Sequence, residues 1–352
     1  MANSKQFTGY IGTYTNGKSE GIYRFTLDID KPKVTDIGLA ATLDNPTYLA
    51  ISEDNKYLYS IIKEGSSGGV ASFLINAETN DLKPLNHELL EGAAPCYVGI
   101  NKENSHLLSS NYHKGTVGLY LIKDDGSISP AVSIVRHEGS GHYEERQEAP
   151  HIHFSDFTPD QKFVVVVDLG TDQLVTYKIE ENTLKQVQTL DFSPDSGVRH
   201  LVFHPTKPYA YVMTELTSEV VSLKFNAEDG SFSIIEYLST LPEGYKETSS
   251  GSAIHITSDG RFVYTATRGH DSIGVFEVDE KTGKLTLVEI TSTHGKGPRD
   301  FSLDPTEKFL IAANQNSNNL VLFIRDEGTG KLTLVDGELE VHDPVCVKFL
   351  NV

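Results

Sequence analysis

A turn residue followed four positions later by an aromatic or aliphatic residue that starts a β run recurs six times along this chain. Nothing else in the sequence limits the fold as strongly. The copies are Glu53-Asp54-Asn55-Lys56-Tyr57, Lys102-Glu103-Asn104-Ser105-His106-Leu107, Pro159-Asp160-Gln161-Lys162-Phe163, Pro205-Thr206-Lys207-Pro208-Tyr209, Ser258-Asp259-Gly260-Arg261-Phe262 and Pro305-Thr306-Glu307-Lys308-Phe309. Anchored at 53, 102, 159, 205, 258 and 305, they stand 49, 57, 46, 53 and 47 residues apart. A β-rich period of roughly 40 to 50 residues is the signature of propeller blades.

Each unit carries four strand-like runs; in the central one they span 153–157, 163–168, 173–179 and 184–190. Turn residues punctuate them and no long 3.6-residue periodicity appears. The chain ends complement each other. Pro344-Val345-Cys346-Val347-Lys348-Phe349-Leu350 reads as a first strand with nothing after it, whereas 7–12 and 21–27 read as second and third strands lacking a first. Together they complete a seventh blade and leave no open sheet edge. The expectation is an all-β, seven-bladed β-propeller, one domain over 1–352. Two stacked β-sandwiches would not explain the complementary ends.

Thirty Lys and Arg against 49 Asp and Glu give a formal charge of −19 and a pI near 5.0. Such a chain repels nucleic acid and anionic membranes, and binding an anion requires a local basic cluster. Cys96 and Cys346 alone make no disulfide framework and fit a reducing compartment. Met1 to Phe7 lacks the basic and apolar blocks of a secretion signal, so a cytoplasmic location is expected, with neither nucleic acid nor membrane as a partner. Oligomeric state is not legible.

In a blade the start of the first strand and the end of the second share one rim. Six positions before the anchors stand Thr47, Cys96, His153, Arg199, Ser252 and Arg299; nine and ten after them stand Ile62-Lys63, Asn111-Tyr112, Asp168-Leu169, Thr214-Glu215, Thr267-Arg268 and Asn314-Gln315. His151 enters the same strand as His153, and two histidines at alternate positions point to one face. The connections 136–147 and 242–251 lengthen this rim and suggest a covered pocket. Arg199 and Arg299 suit carboxylate or phosphate, or a structural ion pair with Glu215 or Asp168. Glu215 is either a salt-bridge partner or a general base or acid. Asp168, Asn111 and Asn314 are either ligand contacts or caps of the turn after the second strand. Two histidines without a third ligand do not make a metal site, and GxSxG and Ser-His-Asp signals are absent.

Glu148-Ala149-Pro150-His151-Ile152-His153, Asp168-Leu169-Gly170-Thr171-Asp172, Gly197-Val198-Arg199-His200, Thr267-Arg268-Gly269-His270-Asp271 and Gly297-Pro298-Arg299-Asp300 closely resemble the lactonase family of seven-bladed propellers, which includes 6-phosphogluconolactonases and 3-carboxymuconate cyclases. The likeness runs over nearly the whole chain; Ser258 departs from it, standing where the blade-five turn usually has proline. The resemblance implies a lactone as substrate or product at a site on the rim; a small anionic lactone is the expected substrate, with no cofactor and no metal. The resemblance places catalysis on His151, His153, Arg199, Glu215 and Arg268, and position on the rim adds Arg299, Asp168, Asn111, Asn314 and the loop residue Arg146 as expected substrate contacts. Hydrolysis of 6-phosphogluconolactone, a step of the pentose phosphate pathway, is the expected reaction; a lactone-forming cycloisomerase and a non-catalytic interaction platform are the alternatives.

Overall fold

The computed structural model describes residues 6–351; Met1 to Lys5, most of the stretch on which the N-terminal reading rests, and Val352 lie outside them. Seven four-stranded antiparallel sheets stand around a central axis. Blades one to six follow the six repeats, and blade seven joins Pro344–Phe349, as its innermost strand, to Gln6–Thr13, Gly21–Asp28 and Lys33–Thr42. The closing register pairs Gly9 with Phe349, Ile11 with Val347 and Gly12 with Cys346. Among the described residues there is no helix, and therefore none long and apolar enough to cross a membrane.

In blade three the strands are Ile152–Phe157, Val164–Asp168, Gln173–Glu180 and Thr183–Asp191, within two residues of the expected bounds. The valine run of the second is buried throughout because neighbouring blades cover both of its faces. In the fourth strand, on the outside, only Leu184 is buried and the other residues are half-buried or exposed.

The repeated turns are held by side chains. Thr158 Oγ1 donates to Asp160 Oδ1 (2.7 Å) and accepts from the Phe163 N–H (3.1 Å). Ser52 with Asp54 and Thr257 with Asp259 repeat this pattern, and Asp304 makes the equivalent bond to the Phe309 N–H at 2.7 Å. Ser and Asp bond nearby backbone readily, so the sequence period is a period of turn chemistry. Ser258 uses the N–H that proline lacks to donate to Glu307 Oε1 of the next blade at 2.6 Å.

Half-buried Asp156, on the innermost strand of blade three, accepts from the Phe157 N–H at 2.8 Å. Burial pushes its carboxyl up to about 6, while that bond and Lys348 pull the other way. Its folded pKa lies above its unfolded value, so the folded state loses stability as pH rises from about 4 to about 6. Asp156→Asn is expected to raise stability by about 1–3 kcal/mol at pH 7.5 and to change it little at pH 4. Thermal melts at the two pH values check this.

Candidate active site

The innermost strands do not run straight into the rim. Their pairing slips between Ile152 and Phe154, Val198 and His200, Gly251 and Ile254, and Pro298 and Asp300, and in blade seven between Gly12 and Thr13 opposite Pro344 and Cys346. The unpaired residues are His153, Arg199, Ser252 with Ala253, Arg299 and Val345. A bulge re-aims a side chain, and in blades three, four, six and seven it turns one residue toward the axis. His153, Arg199, Arg299 and Val345 all line the narrow space at the bottom of a cleft.

That cleft encloses about 620 Å³, within the usual range for a small-molecule site. Arg146, His153, Glu215, Arg268 and Arg299 line it together with Tyr14, Asn16, Lys63, Cys96 and Tyr112. Beneath it the channel is filled by rings: Tyr48 lies 4.2 Å from Tyr97, and His200 lies 5.4 Å from Tyr97 and 5.1 Å from His153.

Glu215 holds the arginines together. Its Oε2 accepts from Arg199 Nε at 3.0 Å and Arg268 Nη2 at 2.9 Å, while Oε1 accepts from Arg146 Nη2. Arg199 also donates to the Ser252 carbonyl (2.6 Å) and Arg268 to that of Gly251 (2.7 Å). Burial opposes ionisation of Glu215, but Arg268 and Arg199 outweigh it and hold the carboxyl well below its usual range. Burial and Arg268 draw the Arg199 guanidinium down to about 9, which leaves it charged at pH 7. Arg299 has no carboxylate partner among the described residues; its guanidinium lies 5.6 Å from the Tyr14 ring, with Nη2 3.4 Å from the hydroxyl.

His153 is 5% exposed and its Nδ1 has no hydrogen-bond partner. Burial, then Arg199, push its pKa well below the usual histidine value, so the ring is neutral at pH 7. Burial also pushes the Cys96 thiol up to about 11, which rules out a resting thiolate nucleophile there.

Four of the expected contacts lie elsewhere. His151 does not share a face with His153, because the intervening bulge breaks the alternation. It stacks on Tyr112 at 4.2 Å, its Nδ1 donates to the Tyr112 carbonyl (2.9 Å), and its Nε2 lies 3.2 Å from Glu148 Oε1. Asp168 is fully buried: Oδ1 accepts from the N–H groups of His151 (2.8 Å) and Gly170 (2.9 Å), and Oδ2 accepts from His137 Nδ1 (2.7 Å). Asn111 binds the Ala93 carbonyl (2.7 Å) and the Lys114 N–H (3.0 Å), and Asn314 the Thr293 carbonyl (3.0 Å). These groups shape the loops and do not line the cleft.

Strand alternation separates the two sets. Asn111, Asp168 and Asn314 stand nine residues after their anchors, whereas Lys63, Tyr112, Glu215 and Arg268 stand ten after theirs, and Tyr14 holds the matching place in blade seven. Only the second parity faces the cleft. Lys63, Tyr112 and Tyr14 were therefore within reach of sequence reasoning that chose one parity.

The profile described as lactonase, 7-bladed beta-propeller, matches residues 8–349. The chain belongs to the lactonase family. This lactonase-family chain is 49% identical over 346 residues to a protein of Bacillus subtilis (strain 168) named 6-phosphogluconolactonase, covering 98% of this chain and 99% of the relative. A crystal structure of a putative 6-phosphogluconolactonase from Bacteroides fragilis superposes with a TM-score of 0.92 at 32% identity, over 100% of this chain and 99% of that one. The structure of a periplasmic gluconolactonase from Pseudomonas aeruginosa gives a TM-score of 0.93 at 27% identity, over 99% of this chain and 100% of that one.

Proposed function

We propose that the cleft hydrolyses a sugar lactone, 6-phosphogluconolactone to 6-phosphogluconate. The observation that carries this reading is a neutral histidine on the cleft wall beside three arginines that share one carboxylate and a fourth, Arg299, that has none among the described residues, in a chain of formal charge −19. The names of the Bacillus and Bacteroides relatives support the same substrate. The two free cysteines support a reducing, cytoplasmic setting, and the reading takes 1–352 as one propeller domain.

His153 takes a proton from a water molecule as the water oxygen attacks the lactone carbonyl. The carbonyl π electrons move to oxygen, and that oxyanion is stabilised by Arg268 and Arg299, both of which line the cleft. Collapse breaks the bond from the acyl carbon to the ring oxygen, and the imidazolium returns its proton to the departing alkoxide. Glu215 is too weak a base for this task; it orients the arginines. His151 and Asp168 act from behind, supporting Tyr112 and the loop that carries Arg146.

Acid production from 6-phosphogluconolactone, followed in a pH-stat, is expected to run well above the spontaneous rate. Arg299→Ala, which removes an oxyanion partner that holds no carboxylate among the described residues, is expected to lower the enzymatic component about 10²-fold while leaving the fold intact. A wild-type rate equal to the spontaneous one would overturn the assignment. Turnover of carboxymuconate in its place would favour cycloisomerisation.

A further inference from the structure

The cleft is chemically lopsided. His153, Glu215 and Arg268 come from blades three, four and five, and the Arg146 loop closes over the same side. In a ring of seven, blade four faces blades seven and one. Those blades supply Tyr14, Asn16, Asn45, Thr47 and Lys63, none of which the hydrolysis above uses.

Lys63 ends the second strand of blade one (Tyr57–Glu64) at the parity that faces the cleft. It is exposed, and no carboxylate lies within ion-pair distance of its ammonium among the described residues. The two acidic side chains nearest in sequence and bonding are otherwise engaged. Glu64 lies 3.8 Å from His87, and Asp44, whose carbonyl accepts the Lys63 N–H at 3.0 Å, binds Thr15 Oγ1 (2.5 Å) and Asn45 Nδ2 (3.0 Å) through Oδ1. Asn16 makes no side-chain hydrogen bond among the described residues. A compact ammonium and a free amide on the wall facing the reacting groups are fit to receive a phosphate monoester.

We infer that Lys63, with Asn16, forms the subsite for the phosphate on the lactone's far end and sets the preference for phosphorylated over unphosphorylated sugar acids and lactones. This rests on the hydrolase reading for its substrate, yet it can be tested on binding alone. Calorimetric titration of the full chain with 6-phosphogluconate and with gluconate gives an affinity ratio. In the wild type the ratio is expected to be about tenfold or more, since a charge-assisted contact at an exposed site contributes at about that level. Lys63→Ala is expected to bring it close to one. Lys63→Arg is expected to keep most of it, and Lys33→Ala, exposed and away from the cleft, all of it.

A wild-type ratio of one, or a ratio that survives Lys63→Ala, overturns the subsite. A wild type that prefers the phosphorylated acid through Lys63 but does not hydrolyse the lactone leaves the subsite standing and removes the hydrolase assignment.

Discussion

Glu215→Gln is expected to destabilise the protein by about 3–5 kcal/mol at pH 7, the usual cost of deleting one partner from a buried ion pair. Arg199 is 2% exposed and Arg268 is largely buried, and both spend donors on Glu215 Oε2. Glutamine keeps the shape and one acceptor oxygen but removes the negative charge, leaving the guanidiniums to repel one another. Arg146 adds less, because its side chain is 38% exposed.

The pH dependence separates this electrostatic effect from simple mispacking. The folded-state pKa of Glu215 is depressed, so its stabilisation is present above the unfolded carboxyl value and is lost as pH falls toward the folded one. Urea unfolding should therefore give a gap between wild type and variant that is full at pH 7 and narrower at pH 3. A loss under about 1 kcal/mol at pH 7, or a gap independent of pH, would contradict the account of Glu215 as the group that holds the arginines together.

The fold was legible because its information is local. Thr158 with Asp160, Thr257 with Asp259 and Ser52 with Asp54 close the same turn by the same bonds, so turn chemistry appears in the sequence as a period. The rim was legible for a related reason: equivalent positions in successive blades face one axis, which places His153, Arg199 and Arg299 together from the sequence alone. The bulge was not legible. Whether an inner strand slips by one residue depends on backbone pairing across the blade, and without it His151 and His153 look like one face. Asp168 misled for the opposite reason. An aspartate at a strand end reads equally as a ligand contact or a cap, and only the contacts with His151, Gly170 and His137 decide it. Lys63 and Tyr112 carry no unusual neighbours in the sequence; their part in the cleft follows from strand parity and ring position.

His153→Gln is expected to lower lactone hydrolysis above the spontaneous rate by about 10²–10⁴-fold, the range ordinarily supplied by a positioned proton-transfer group. The fold should persist, because His153 makes no protein hydrogen bond through Nδ1 that the change would break. The wild-type pH profile adds a second reading of the same residue. Burial, then Arg199, depress the imidazole pKa, so the free base is present throughout the neutral range and the acid limb of kcat/KM falls below the ordinary histidine value near 6.5. In stability terms a depressed histidine pKa favours the fold above the unfolded value, and that contribution is lost as pH falls from about 6.5 toward the folded pKa; His153→Gln removes this slope. Arg199→Met takes away a charge that lowers the pKa and should move the acid limb upward. A variant at position 153 with wild-type activity, or an acid limb that Arg199→Met does not move, would exclude His153 as the base and turn attention to the remaining cleft histidine, His113.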